Sequence, residues 1–265
     1  MKLTMLGTGN ALTTEYYNTC FILSENDKNF LVDTGGGNGI LHQLKHAGFE
    51  LSDIHDIFIT HSHIDHILGL IWIIRISAQL MNKNNFDGDI NIYSHDEVIN
   101  LVAELVRKLL LPYQADFLDK RIHLNIVNDG ETRNIINHDV KFFDIHSART
   151  KQFGFVMNYD GKKLTCCGDE PCHKECENFV EASDWLMHEA FCLHSQAEIF
   201  RPYEKHHSTV KYASELAQRL GVKNLLLYHT EDKTLSRRRE FYTEEARKYF
   251  SGKVFIPDDL ETLTL

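Results

Sequence analysis

Short apolar runs and helical stripes alternate along this chain almost from end to end. Leu3 to Leu6, Thr19 to Leu23 and Phe30 to Val32 are runs of strand length with turn residues between them, which predicts three strands. Gly39 to Ala47 reads as a short helix closed by Gly48, and Ile54 to Thr60 as a strand. A helical stripe runs from near His66 to about Met81. Ile90 to Tyr93 reads as a strand, and the helix over His95 to Leu111 stops at Pro112, whose ring cannot continue it. Ile122 to Cys167 is mostly β, with turns at Asn128-Asp129-Gly130 and Asp160-Gly161. The end alternates again: helix Thr209 to Leu220, strand Asn224 to Tyr228, helix Leu235 to Phe250, strand Val254 to Ile256. With no Pro/Gly/Ser-rich linker and no repeat at a solenoid period, the prediction is one α/β domain over residues 1–265. It has two β-rich halves with helices outside.

Composition narrows this picture. Of 265 residues, 43% are apolar and 25% charged, which suits a chain with a sizeable core and excludes a disordered or collagen-like one. The longest apolar run, Ile67 to Ile76, is broken by Gly69 and Arg75 and falls short of the roughly 18 residues of a membrane helix. The start goes straight into strand-like sequence without a signal peptide, so the expectation is a cytoplasmic protein with no membrane partner. A formal charge of −10 makes a poor electrostatic match for polyanions unless bound metal ions reverse the local sign. Six cysteines in a leaderless chain read as reduced thiols. Cys166, Cys167, Cys172 and Cys176, near His173, have spacings too loose for a convincing zinc knuckle, so ordinary free thiols are expected.

Sixteen histidines are the anomaly. Thr60-His61-Ser62-His63-Ile64-Asp65-His66 packs three imidazoles and a carboxylate directly after a predicted strand. Such a cluster is unfavourable on burial unless something binds it, and imidazole with carboxylate suits zinc and its neighbours. On a tight turn His61 and His63 are expected to point one way, and Asp65 and His66 another. That arrangement serves two metals better than one. A solvated histidine-rich turn is the plain alternative.

These residues, with several others, resemble the metallo-β-lactamase fold superfamily and, within it, the ribonuclease Z-like branch. The resemblance rests on Leu6-Gly7-Thr8-Gly9-Asn10, Leu31-Val32-Asp33-Thr34-Gly35 and His61 to His66. It continues through Cys167-Gly168-Asp169, His188-Glu189-Ala190, His207-Ser208-Thr209 and Leu225-Leu226-Leu227-Tyr228-His229, in family order along nearly the whole chain. It implies a four-layer αββα sandwich. It also implies two divalent ions, zinc first, with manganese or iron compatible with the same ligands. His61, His63 and His146 would hold one ion, and Asp65, His66 and His229 the other, with Asp169 bridging. His207 would protonate the leaving oxygen, although Ser208 or Thr209 also suits a helix cap. Asp65 would orient the attacking hydroxide and Glu189 would orient His207. Asp33 is expected to order the loop beneath the metals, and Gly35-Gly36-Gly37 lacks the Lys-Ser/Thr of a phosphate loop.

The resemblance breaks at the substrate. Family members that mature transfer RNA carry a long basic Gly/Pro-rich arm, in the bacterial members between the ligands matching His146 and Asp169. Here 22 residues separate those two and read as two strands around a turn. The family's Ser-x-Arg-Tyr pattern after His229 is also missing. Arg237, Arg238 and Arg239 could meet a phosphate, but read more simply as a solvated helix face. The expectation is therefore a dinuclear metal hydrolase of a small or single-stranded phosphodiester, with a homodimer by family analogy. Alternatives are a transfer-RNA precursor endoribonuclease, a thioester or lactone hydrolase, and a non-catalytic metal-stabilised binding or sensor protein. A diiron oxygen reductase is disfavoured, because that branch has Glu where this chain has His63.

Overall fold

The computed structural model describes the backbone of all 265 residues and every side chain except that of Leu235. Its contacts divide the chain into two compact units. The first contains Met1–Gly7, Tyr17–Asn128 and Asp259–Leu265; the second contains Thr8–Tyr16 and Asp129–Asp258.

The first unit carries strands β1 (Lys2–Gly7), β2 (Cys20–Glu25), β3 (Lys28–Val32), β4 (Asp56–Phe58), β5 (Ile90–Ser94) and β6 (Ile122–Ile126). Its helices are α1 (Gly39–His46), α2 (Ile64–Asn82), α3 (Asp96–Leu109) and α4 (Pro112–Ala115). The C-terminal strand Thr262–Thr264 pairs with β1 and completes a seven-stranded sheet. β1, β2 and β3 are antiparallel neighbours, whereas β3 to β6 run parallel because each connection passes through a helix. Strand residues alternate between faces. Cys20, Ile22, Leu31 and Ile57 pack with Ile40 and Leu44 of α1 and with Val98 and Val102 of α3. α2 joins them through Ile67, Leu70, Ile71, Ile74, Ala78 and Met81, a stripe at helical spacing.

Two expectations change here. The strand expected over Ile54 to Thr60 is shorter, β4 with flanking backbone bonds at His55 and Ile59. Beyond it the chain turns so that Thr60 bonds to Asp33 instead. α2, at 19 residues, is by length and composition long and apolar enough to cross a membrane, which the broken run in the sequence did not indicate. Gly69 and Arg75 do not interrupt it. Gly69 is where the helix passes closest to the strand loop, since a Cβ there would lie 1.9 Å from the Thr34 carbonyl oxygen. The Arg75 guanidinium lies 5.4 Å from the centre of the Trp72 ring. The apolar composition also has a core reason, for 61% of that stretch is buried.

The second unit carries β7 (Thr132–Ile135), β8 (His138–Asp144), β9 (Phe153–Tyr159), β10 (Lys162–Cys166), β11 (Trp185–Glu189), β12 (Asn224–Tyr228) and β13 (Lys253–Phe255). They form a seven-stranded sheet in the order β13-β12-β11-β10-β9-β8-β7. Hairpins join β7 to β10, and β10 to β13 run parallel. The helices α5 (Glu177–Val180), α6 (Ala197–Phe200), α7 (Val210–Arg219) and α8 (Arg238–Ala246) lie in the crossovers. α7 is capped by Thr209, whose hydroxyl accepts from the Tyr212 N–H.

The three arginines do not share a solvated face. Arg238 is 1% exposed and donates to Thr8 Oγ1, Thr230 Oγ1 and Asp258 Oδ1 at 2.8 to 3.1 Å. A buried guanidinium needs such acceptors to offset its lost hydration. Arg237 forks onto Glu240 and Arg239 onto Asp258, so all three guanidinium groups already have carboxylate partners.

Candidate metal-binding residues

Parallel strands present their carboxyl ends along one edge, where α/β sheets hold ligands. In the first unit, β3 ends at Val32 and Asp33 follows in the left-handed region, φ 56°. Asp is among the few residues that tolerate that conformation. Its side chain is buried and accepts three hydrogen bonds, each 2.8 Å: from the Thr60 N–H, the Thr60 hydroxyl and His66 Nδ1. Because the Thr60 hydroxyl donates to Asp33, it must accept from His61 Nδ1, 2.9 Å away. One carboxylate therefore fixes the tautomer of two histidines, and both His61 and His66 carry their lone pair on Nε2. The α2 turn that bears His66 is tied down as well, with its carbonyl accepting from the Thr34 hydroxyl at 2.7 Å.

His66 Nε2 lies 3.4 Å from Asp65 Oδ2, and both side chains are buried. A lone pair facing a carboxylate oxygen at that distance calls for a cation or a proton. The His61 ring lies 4.2 Å from that of His66 and 4.4 Å from that of His63. The expected split into two directions is thus softened: His61 touches both neighbours. This donor set fits a divalent metal.

In the second unit, β10 ends at Cys166, and Gly168 follows at φ 75° with Gln152 against it. A Cβ on Gly168 would lie 2.3 Å from Gln152 Oε1, so the position needs glycine twice over. Gln152, fully buried, accepts from the Asp169 N–H at 3.0 Å and donates to Asp169 Oδ1. Tyr228, the last residue of β12, donates its hydroxyl proton to the Gly168 carbonyl. His229 follows, again left-handed, with Nε2 3.5 Å from Asp169 Oδ2.

His207 Nδ1 lies 2.8 Å from the Asp169 carbonyl oxygen. The proton therefore sits on Nδ1, and Nε2 is the pole that can exchange one. The ring stacks on Phe191, 4.8 Å between centres and 12° between planes, and lies 5.1 Å from the His229 ring. Glu189 is fully buried at the end of β11 and accepts from the Ser208 and Phe191 N–H groups. Its Oε2 is 3.9 Å from His207 Nδ1, so it steadies the His207 segment mainly through the backbone. Burial pushes its carboxyl up to about 8, against the pull of the bonds from Ser208. Glu189, His207 and His229 bring ligand atoms within 4.8 Å of one another, a further group able to hold a cation.

His146 differs. It is exposed, left-handed, and anchored through its N–H to Asp144, and it joins no such group among the described residues. The four cysteines singled out above are buried free thiols, and Cys167, Cys172 and Cys176 belong to the core of the second unit. Thr60, Gln152, Phe191 and Tyr228 carry no motif that assigns them a role, although Thr60 and Tyr228 adjoin candidate ligands.

Residues 1–248 match the family described as Anti-Pycsar protein Apyc1. A ribonuclease Z from Staphylococcus carnosus (strain TM300) is 26% identical over 316 aligned positions, covering 100% of both chains. The alignment is longer than this chain of 265 residues, so the relative carries insertions that this chain lacks. The metallo-β-lactamase fold protein YhfI from Bacillus subtilis superposes with a TM-score of 0.80 at 18% identity, covering 99% of this chain and 98% of that one. Human tRNase Z, short form, gives 0.73 at 23% identity, covering 100% and 99%. The fold is α/β of the metallo-β-lactamase type.

Proposed function

The chain belongs to the Anti-Pycsar protein Apyc1 family, and from that premise we propose that it is a metal-dependent hydrolase of phosphodiesters. The ligand assignment follows the ribonuclease Z-like resemblance: His61, His63 and His146 for one ion, Asp65, His66 and His229 for the other, Asp169 shared. Asp33 and Gln152 support it by orienting ligands of both sets. His146 joins by resemblance alone. When bound, two such ions lower the pKa of a water and draw charge from a phosphoryl oxygen. Zinc is the first choice for so many imidazoles.

The observation that carries the reading is the bond from His207 Nδ1 to the Asp169 carbonyl. It ties the candidate acid to the candidate bridging ligand and leaves Nε2 as the nitrogen that hands a proton to a leaving alkoxide. Phe191 keeps the ring from rotating, and Asp65 orients the attacking water.

A small or single-stranded diester is the proposed substrate, met by a cytoplasmic enzyme acting as one domain and, by analogy, as a homodimer. The 22 residues between His146 and Asp169 hold the hairpin β9–β10, which leaves no room between those two positions for an arm. Transfer-RNA precursor cleavage is the second reading, favoured by the ribonuclease Z relative.

The test offers metal-reconstituted protein bis(p-nitrophenyl) phosphate and a 3′-extended transfer-RNA precursor in parallel, with His207→Ala alongside. Hydrolysis of the simple diester that the variant loses, without a cut at the discriminator base, is expected. A precursor cut that needs His207 would replace the small-substrate reading by the second one. Metal-loaded protein that turns over thioesters or lactones alone, or nothing, would sink the phosphodiester reading.

A further inference from the structure

His207 stacks on Phe191, and it also borders a cleft of about 410 Å³ within the second unit. That volume falls in the range of small-molecule pockets. Pro171, Tyr203, His206 and Tyr212 line the cleft with His207. Tyr212 donates its hydroxyl proton to the Cys172 carbonyl at 2.9 Å, which fixes its ring as a wall. Tyr203 is 56% exposed, yet its hydroxyl lies 3.2 Å from His194 Nδ1, which tethers that ring too. The His206 N–H bonds to the Tyr203 carbonyl and the His207 N–H to that of Pro202, the pattern that closes a helical turn on a left-handed residue. That residue is His206, φ 61°, where glycine would be unstrained. The chain keeps an imidazole on the cleft wall at a cost in backbone strain.

We propose that this cleft receives the leaving group of the diester, that it takes a planar, hydrogen-bonding ring such as a nucleobase borne on the departing alcohol, and that Tyr203 and His206 set this preference. The inference rests on the hydrolytic reading. A leaving oxygen within reach of His207 places its substituent beside that ring, and the cleft is space that His207 borders. Both tyrosine hydroxyls already have partners, so these rings offer flat apolar area, on which a base of any identity can stack. Imidazole edges supply a donor or an acceptor for the polar rim of such a ring. An alkyl chain would leave those edges without a partner. A second phosphate would meet the carboxylates of Glu170 and Glu177 at the cleft, and like charges oppose such a partner. Neither carboxylate is idle: Glu177 forks onto Arg219, and Glu170 accepts from the Ser147 hydroxyl.

Two probe esters test this with metal-reconstituted protein: thymidine 3′-methyl phosphate and its abasic analogue, in which hydrogen replaces the base. Product analysis reads which alcohol departs. Loss of thymidine, with kcat/KM about tenfold or more above that of the abasic ester, is the expected result. Tyr203→Ala and His206→Gly should each shrink that preference about threefold or more, chiefly through KM, whereas Tyr203→Phe restores the ring and keeps it. Loss of methanol overturns the assignment, as does equal kcat/KM for the two esters in wild type or a preference unchanged in both variants. If bis(p-nitrophenyl) phosphate is still hydrolysed in those cases, the diester reading stands without the leaving-group cleft. Turnover of no diester removes both.

Discussion

Asp33 and His66 stand 33 positions apart in sequence, and the carboxylate of one accepts from Nδ1 of the other at 2.8 Å. Through Thr60 the same carboxylate also sets His61. Asp33→Asn keeps a residue that tolerates φ 56° but removes the charge and one acceptor. Metal affinity is expected to fall about 10- to 100-fold with little loss of stability. Competition against a chromogenic chelator reads the first quantity, and urea unfolding the second. Unchanged affinity would remove Asp33 from the metal-supporting role.

His207 and Phe191 make a second separable pair. His207→Ala should lower kcat about 10²- to 10⁴-fold while bound metal stays constant. Phe191→Leu keeps bulk but loses the flat ring that stacks at 4.8 Å. A lower kcat with KM nearly unchanged, recovered by Phe191→Tyr, is the expected pattern. A matching loss of stability with no kcat effect would make Phe191 a packing residue only.

The clamp on Asp169 predicts a different signature. Gly168→Ala drives a methyl group into Gln152 and strains a left-handed backbone. It should destabilise by about 2 kcal/mol or more. Gln152→Leu leaves Asp169 Oδ1 without its amide donor and should deplete metal at a stability closer to wild type. Metal content by atomic emission, set against denaturation midpoints, distinguishes the two.

His188 makes stability depend on pH. It is fully buried, donates from Nδ1 to the Glu189 carbonyl and accepts at Nε2 from the Cys172 N–H. Burial pushes its pKa down to about 4 from 6.5. The unfolded chain takes up this proton first, so the contribution is complete above pH 6.5 and is lost as pH falls towards 4. Its full size is roughly 3 kcal/mol. Chemical denaturation at pH 7.5 and 4.5 should show a steeper decline in wild type than in His188→Gln. Parallel declines would assign the slope elsewhere.

Much of this was legible in the chain. Strand and helix periods depend on neighbours two to four positions apart, and the order of His61 to His66, Asp169 and His229 is written in short motifs. The breakdown came where a residue answers to something distant. Arg238 sits among charged neighbours on a helix, and only the approach of Thr8, Thr230 and Asp258 turns it into a buried tie. The helix over His66 to Met81 is legible from its stripe, but only the fold shows why Gly69 stands in it, since a Cβ there would meet the Thr34 carbonyl.

The sequence by itself determined which residues are candidates for binding metal and that strands and helices would alternate, since both readings rest on side-chain chemistry and local spacing. Tertiary structure decided which nitrogen His61, His66 and His207 present, that Gln152 grips Asp169, and that His207 is held by a backbone carbonyl. A tautomer is set by the partner on the opposite nitrogen, and that partner arrives only when each unit folds and brings its own remote segments together.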